Sequence, residues 1–300
     1  MPLRRAFAPL ILSLVVLAGA ARAAESRPFR ITGLCHIGMW VRDVEQSRAF
    51  YKDYLGFEEP YTLTRPSGEL FVVFIKVNDR QTINLYPNAA KILPNGENLY
   101  HVGLETDNAA AFHDHLAAHG VTSGAVHKTA MGDIIFLTKD PDGIGYEITE
   151  YQPGGRMMQS AGKFLAATRP GEQIVSTTLV VADLARSRRF YCELLGCAEV
   201  ESGEKGVIRL QLPHGPGAIL LTQREAPAGA PALRSQERFT LSSRDPIRVA
   251  TDLNSPARRG DRPLVARPNG RLDCIDPDGT CVTITPAEGL SPVRKDPTHD

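Results

Sequence analysis

His36, His101 and Glu147 are the residues of this chain best suited to chemistry, each lying in a short strand-like run far from the other two. Two imidazoles and one carboxylate form the facial set that holds Fe(II) or a similar divalent ion while leaving positions open for substrate. These residue types predict a metal centre, with Fe(II) or Mn(II) as the first expectation and Zn(II) or Ni(II) as the second. A purely structural ion fits less well, because structural zinc takes four protein ligands and closes its sphere. His115 and His119, at helical spacing, form a weaker pair, since Phe112 and Leu116 mark a buried stripe beside them.

The elements that must carry the three ligands read as strands. Alternation places Leu34, Gly38 and Trp40 on the side of His36, and Cys35, Ile37, Met39 and Val41 on the other, under a helix. Gly103 shares a face with His101, and Gly145 with Glu147. A glycine two residues from each ligand, on its own face, predicts open volume beside the ion. Cys35, beside His36, is expected in the core rather than as a nucleophile.

The chain also repeats itself. VRDVEQSRAFYKDYLGF (Val41 to Phe57) returns as VADLARSRRFYCELLGC (Val181 to Cys197), and DPDGIGYEIT (Asp140 to Thr149) as DPDGTCVTIT (Asp276 to Thr285). Such self-similarity marks duplicated structural units. In the second copy Ser176 stands for His36, Arg238 or Phe239 for His101, and Thr283 for Glu147, so only the first copy can bind the ion.

Each copy opens with an apolar strand and a helix. Asp43 with Gln46 three residues on is a capping-box start, and Gly56 stops the run after Leu55. The same order recurs at Leu99 to Thr106 and Asn108 to His119, followed by strands expected near Val121 to Val126, Asp133 to Thr138 and Gly143 to Tyr151. The class is α+β, with units of strand, helix and three strands paired within each domain. The expected layout is a first domain over 31–151 with the metal site, a linker or strap over 152–172, a degenerate second domain over 173–286 and a polar tail over 287–300. The second copy carries Pro- and Gly-rich loops at Pro213 to Gly217 and Pro227 to Pro231.

Residues 1–23 have the layout of a secretory signal: Arg4 and Arg5, an apolar stretch from Leu10 to Leu17, and the small-x-small triplet Ala21-Arg22-Ala23. This predicts cleavage near Ala24, no lasting membrane anchor, and export to the periplasm or the medium. Cleavage removes three of 34 basic residues and none of 34 acidic ones, leaving a nearly neutral chain with no basic stripe for nucleic acid. The expected partner is a small-molecule substrate, and homo-oligomer formation is left open. Export would also favour disulfides, with Cys274 and Cys281 flanking a hairpin turn and Cys192 and Cys197 as a second pair.

CHIGMWVRDVEQSRAFYKDYLGF, LYHVGLETDN and KDPDGIGYEITEY resemble the vicinal oxygen chelate (VOC) superfamily of glyoxalases, fosfomycin and bleomycin resistance proteins and extradiol ring-cleaving dioxygenases. The resemblance implies tandem VOC domains, each pairing two βαβββ units in a curved mixed sheet around a cup. It puts the metal ligands at His36, His101 and Glu147. It implies a metal-dependent enzyme whose substrate chelates through two neighbouring oxygens, with ring cleavage, glyoxalase-type lyase or isomerase chemistry, and drug binding without turnover as the family's alternatives. Asn84 falls where glyoxalase-like members add a fourth, glutamate ligand, and Leu137 where ring-cleaving members carry a tyrosine; a catalytic histidine of the latter falls near His127. With the cup that the resemblance implies, Trp40 and Asn84 are the expected substrate contacts, and Tyr86 and His127 the expected catalytic groups.

His36→Ala, His101→Ala and Glu147→Ala should each abolish metal uptake, measured by elemental mass spectrometry, while circular dichroism remains that of the folded protein. Ser176→Ala and Thr283→Ala should leave metal content unchanged.

Overall fold

The computed structural model describes residues 27–94, 96–223, 238–258, 264–267 and 270–287. The signal segment 1–23, the loop at Pro227 to Pro231, the tail beyond 287 and the Arg238 side chain lie outside the described residues.

Asp43 caps the first helix as its spacing predicts, its carboxylate accepting from the backbone N–H groups of Glu45 at 2.9 Å and Gln46 at 3.1 Å. Strand β1 (Ile31–Val41) leads into this helix, α1 (Val44–Arg48), which widens into a π-helical segment, Ala49–Tyr54. The wider turn puts Phe50, Tyr51 and Tyr54 together in the buried interior. Then follow β2 (Glu58–Thr64), β3 (Leu70–Asn78), β4 (Gln81–Pro87), β5 (Leu99–Thr106), α2 (Ala109–Ala118), β6 (His127–Lys128), β7 (Ile134–Lys139) and β8 (Gly145–Glu150). Residues 121–126, expected as a strand, run irregularly beside β7 instead, tied by Gly124 N–H to Leu137 O at 2.7 Å, and only His127 and Lys128 pair regularly. Gly124 and the Ser and Thr before it favour turn conformations over a ladder.

These strands make one curved eight-stranded sheet in the order β2-β3-β4-β1-β5-β8-β7-β6. The two halves meet where β1 runs antiparallel to β5, and β5 runs parallel to β8. The strands bearing the candidate ligands are therefore neighbours at the centre.

After a strap with one helical turn, α3 (Arg156–Gln159), the second copy repeats the pattern: β9 (Gln173–Val181), α4 (Leu184–Arg188) with its π-helical continuation Arg189–Leu194, β10 (Ala198–Val200), β11 (Val207–Gln211), β12 (Ala218–Gln223), β13 (Arg238–Ser243), α5 (Pro246–Asn254), β14 (Leu264–Ala266), β15 (Leu272–Ile275) and β16 (Cys281–Pro286). Its sheet has the matching order, β10-β11-β12-β9-β13-β16-β15-β14. The strap is held by Lys76, fully buried on β3, whose ammonium donates to the carbonyl oxygens of Ser160 at 2.6 Å and Lys163 at 2.8 Å and pairs with Asp79 at 2.9 Å. A buried ammonium is tolerable only with such full satisfaction.

The motifs that repeat are the ones that join the copies. Tyr51 from the first π-helical segment donates to Asp276 at 3.0 Å, and Tyr191 from the second donates to Asp140 at 2.8 Å. Arg42 reaches Asp278 at 3.0 Å, while Arg186 reaches Asp142 at 2.6 Å. Each Asp-Pro-Asp-Gly turn thus receives the other copy's helix, and one apolar cluster runs continuously through both copies. Burial pushes Asp140 and Asp276 up to about 6.

All five cysteines are free. Cys274 pairs with Val282 across the hairpin and Cys281 with Ile275, so the two thiols are one residue out of register and face opposite sides. The expected cross-strand disulfide is therefore not formed, nor is a bond between Cys192 and Cys197.

Tyr51→Phe and Tyr191→Phe should each lower the free energy of unfolding by about 1–3 kcal/mol, because a buried carboxylate loses its donor. The loss in urea titrations should be larger at pH 8, where both carboxyls are ionised, than at pH 5, below their folded values of about 6.

Candidate metal centre

Two rows of residues cross the centre of the first sheet. Backbone register aligns Thr82 of β4, His36 of β1, Gly103 of β5 and Glu147 of β8 in one row, and Asn84, Gly38 and His101 in the next. Each histidine therefore faces a glycine on the neighbouring strand. A Cβ on Gly38 would lie 2.6 Å from His101 Nε2, and one on Gly103 would overlap the His36 ring. The expectation that these glycines clear volume for substrate is corrected here: they clear volume for the ligand rings. Gly145 serves the backbone, since a Cβ there would lie 2.6 Å from Tyr100 O.

His36, His101 and Glu147 converge so that one ligand atom from each lies within 4.8 Å of the others. His36 Nε2 and His101 Nε2 are 2.9 Å apart, and the Glu147 carboxylate oxygens lie 3.6 Å and 3.8 Å from them. Two nitrogens each about 2.1 Å from a common ion, at right angles, stand about 3.0 Å apart, so the imidazole pair is spaced for adjacent coordination positions. Burial holds both histidines neutral, pushing His36 down to about 3 and His101 well below its ordinary value, with the neighbouring His36 adding to the latter. Burial raises Glu147 to about 7. Two imidazoles kept neutral by burial and one carboxyl beside them form a donor set that fits a divalent cation. Among the described residues no other group of His, Cys, Asp and Glu meets the same test.

Two of the three register shifts between β1 and β5 set the surroundings. The register shifts between Leu34 and His36, so simple alternation fails there. Leu34 joins the apolar core, whereas Cys35, expected opposite His36, places its sulfur 3.3 Å from His36 Nδ1. In the tautomer that carries its proton on Nδ1, His36 would donate to Cys35 Sγ and present Nε2 to a metal. Thr149 contacts Glu147 at 3.5 Å and hydrogen-bonds the Cys35 thiol, linking the two. His101 Nδ1 is buried with no hydrogen-bond partner. The second shift, between Gly38 and Met39, falls opposite Tyr100 and brings that ring beside His101, with centroids 4.5 Å apart.

A cavity of about 480 Å³ opens over His36 and Glu147. Asn84, Tyr86 and His127 line it. Asn84 is buried and accepts from the Thr82 hydroxyl at 2.7 Å, and it hydrogen-bonds Tyr86, whose hydroxyl burial holds protonated. His127 stands exposed at the mouth, its Nδ1 3.0 Å from Ala125 O. Trp40 lies behind Tyr100, ring centroids 4.1 Å apart, and lines a separate cavity of about 430 Å³ that reaches His101. Tyr100, Met131, Asp133 and Tyr151 also line the first cavity and had no signal in the sequence pattern; Tyr100 comes there through the bulge, Met131 and Asp133 on the β6–β7 turn, and Tyr151 just after β8.

The other residues singled out by sequence lie elsewhere. His115 Nε2 donates to Leu194 O of the second copy at 3.0 Å, and His119 bonds the His115 carbonyl at 2.8 Å, so the pair serves helix and interface rather than an ion. Register in the second sheet aligns Ser176, Thr240 and Thr283 in a row, with Arg238 opposite Thr178. These are the positions of His36, Gly103, Glu147 and His101.

Paired βαβββ units curled around a three-residue, open metal-type cluster define a cup-shaped chelating fold. The chain belongs to the Glyoxalase/Bleomycin resistance protein/Dioxygenase superfamily, whose profile matches residues 33–148 and 173–284. Among solved structures it is similar to the Mn(II)-bound glyoxalase from Novosphingobium aromaticivorans, at 18% identity and TM-score 0.63, covering 85% of this chain and 82% of that one. It is similar to the 2,3-dioxygenase LapB from Pseudomonas sp. KL28, at 15% identity and TM-score 0.64, covering 86% and 93%. Homoprotocatechuate 2,3-dioxygenase from Arthrobacter globiformis gives 16% identity and TM-score 0.61, covering 86% and 80%. At these identities the likeness is one of fold. No curated protein matches the chain.

Gly103→Ala should force the His36 ring from its place and lower metal affinity by at least about tenfold, because ligand orientation sets affinity. Gly154→Ala, on an exposed turn without a positive φ and with nothing within 4 Å of an added Cβ, is the control for a general effect of glycine loss. Metal-binding isotherms of the two variants check it.

Proposed function

We propose that this chain is an exported metal-dependent enzyme in which His36, His101 and Glu147 hold one divalent ion, Fe(II) or Mn(II) before Zn(II) or Ni(II), and a small organic substrate chelates that ion through two neighbouring oxygens. The observation that carries the reading is the imidazole pair, neutral and 2.9 Å apart, beneath a cavity of about 480 Å³. Bound there, the ion supplies Lewis acidity to the substrate oxygens and, if it is iron, the means to use dioxygen for ring cleavage. Asn84 favours a site with three protein ligands, because its amide stands where a fourth carboxylate would and is already bonded to Thr82.

The chain's own groups do the remainder. His127 donates Nδ1–H to Ala125 O, a tautomer that leaves Nε2 with a lone pair to accept a substrate proton. Tyr86, held protonated by burial, acts as a hydrogen-bond donor to substrate oxygen. Trp40 fixes Tyr100 from behind, and the strap keeps water from the far wall through Met157. Lyase or isomerase chemistry at the same site is the second reading, and non-catalytic binding of a small molecule the third. The layout of residues 1–23 supports export, and among the described residues no helix is long and apolar enough to cross a membrane.

Protein purified without oxygen and without a His tag should carry about one iron or manganese per chain by elemental mass spectrometry and consume oxygen with a vicinal diol. Zinc or nickel without oxygen uptake would move the reading to a lyase or isomerase, and failure to take up any metal would leave small-molecule binding. Metal affinity should fall about tenfold per pH unit below 7, because Glu147 then keeps its proton while His36 stays neutral down to about 3.

A further inference from the structure

The second cavity, of about 430 Å³, takes no part in the chemistry proposed above. It lies at the end of the first sheet where β1 and β7 finish and β5 and β8 begin, and Tyr100 and Leu137 are the two described residues that line both cavities. Much of its surface is apolar. Trp40 packs on Tyr100 with ring centroids 4.1 Å apart, and Leu93, Leu99 and Ile144 stand around them. Leu93 and Leu137 are each 39% exposed. A single exposed leucine is ordinary, but two at the mouth of one cavity, beside a tryptophan, form a surface suited to an apolar body. A cavity of about 150 Å³ holds one benzene ring, so this one accommodates a ring with a chain attached.

Charge sits at one place in this lining. The acidic and basic side chains there are Lys91 just after β4, Lys139 at the end of β7 and Glu97, with His101 kept neutral by burial. Both lysines are exposed and neither forms an ion pair with a described residue, whereas Glu97 is buried. Counting Glu97 as a carboxylate, the two ammonium groups still outnumber it. A lysine lays its apolar stem along such a surface and holds its charge at the edge. A half-apolar cavity with a few polar groups fixing orientation is the usual form of a small-molecule site.

We propose that this cavity is a second small-molecule site and that its ligand is an amphipathic organic monoacid. The apolar body lies on Trp40 and the leucines, and the carboxylate lies between Lys91 and Lys139. None of these groups belongs to the metal cluster, so the inference stands apart from the chelation reading.

Trp40 is the single tryptophan of the chain, and its fluorescence therefore reports on this cavity. The test is a titration of the full chain with 4-phenylbutyrate and with its uncharged analogue 4-phenylbutanol, before and after dialysis against EDTA. The acid should change Trp40 emission saturably and bind at least about fivefold tighter than the alcohol, the size of effect that two rim ion pairs give. The double variant Lys91→Ala, Lys139→Ala, checked by circular dichroism, should lose that preference, and Lys128→Ala, at the first cavity, should keep it. EDTA treatment should leave the affinity for the acid unchanged. No saturable change in emission, or an alcohol that binds the unaltered chain as tightly as the acid, would overturn the inference without recourse to any variant. Weaker binding of the acid after EDTA or in Lys128→Ala would move it to the first cavity and overturn the inference as well.

Discussion

The arrangement of the site depends on the absence of two Cβ atoms. Neighbouring strands lie about 4.8 Å apart, too close for two imidazoles to fold across one another unless the positions they cross are bare. Gly38 faces His101 and Gly103 faces His36, so each ring lies over the other's strand and their Nε2 atoms meet. The same crossing buries both rings, which keeps them unprotonated and their lone pairs available. Position, protonation state and metal competence thus share one cause.

The duplication explains how such a curved sheet is supported. A cup open to ligand on one face must be packed on the other, and the second copy joins the first through a continuous apolar core. The π-helical segments do this reciprocally, each sending a tyrosine to the other copy's Asp-Pro-Asp-Gly turn. Those motifs persist in both copies because the interface needs them twice, whereas the ligands are needed once. Their absence from the second copy, where Ser176, Arg238 and Thr283 hold the positions of His36, His101 and Glu147, leaves the packing intact. Copies of one fold have divided support from chemistry, and function follows the side chains of the site rather than the fold.

Surrounding groups tune the two imidazoles unequally. His36 Nδ1 lies against the Cys35 sulfur, and His101 Nδ1 has no hydrogen-bond partner. Ligating histidines usually give this hydrogen to a carboxylate or carbonyl, which raises their basicity. The bulges beside the two histidines re-aim Cys35 and Tyr100 toward the cup and give the centre its thiol neighbour and its aromatic wall.

The sequence by itself determined the class, the duplication, the helix caps and the three residues that form the central cluster, because these rest on local signals: strand periodicity, Asp43 before α1, repeated motifs and residue types with few structural uses. It also determined that the second copy is bare, since Ser, Arg and Thr at matching positions are visible in an alignment of the chain with itself. Only the tertiary structure decided that Cys35 touches His36 and Leu34 does not, because a bulge arises from pairing between strands and leaves no mark on a single strand's pattern. The thiol register across the β15–β16 hairpin, the placement of Trp40 behind Tyr100, and the cavity's Met131 and Asp133 are of the same kind. They depend on which backbone atoms from distant segments meet, and periodicity along one segment carries no record of its partner.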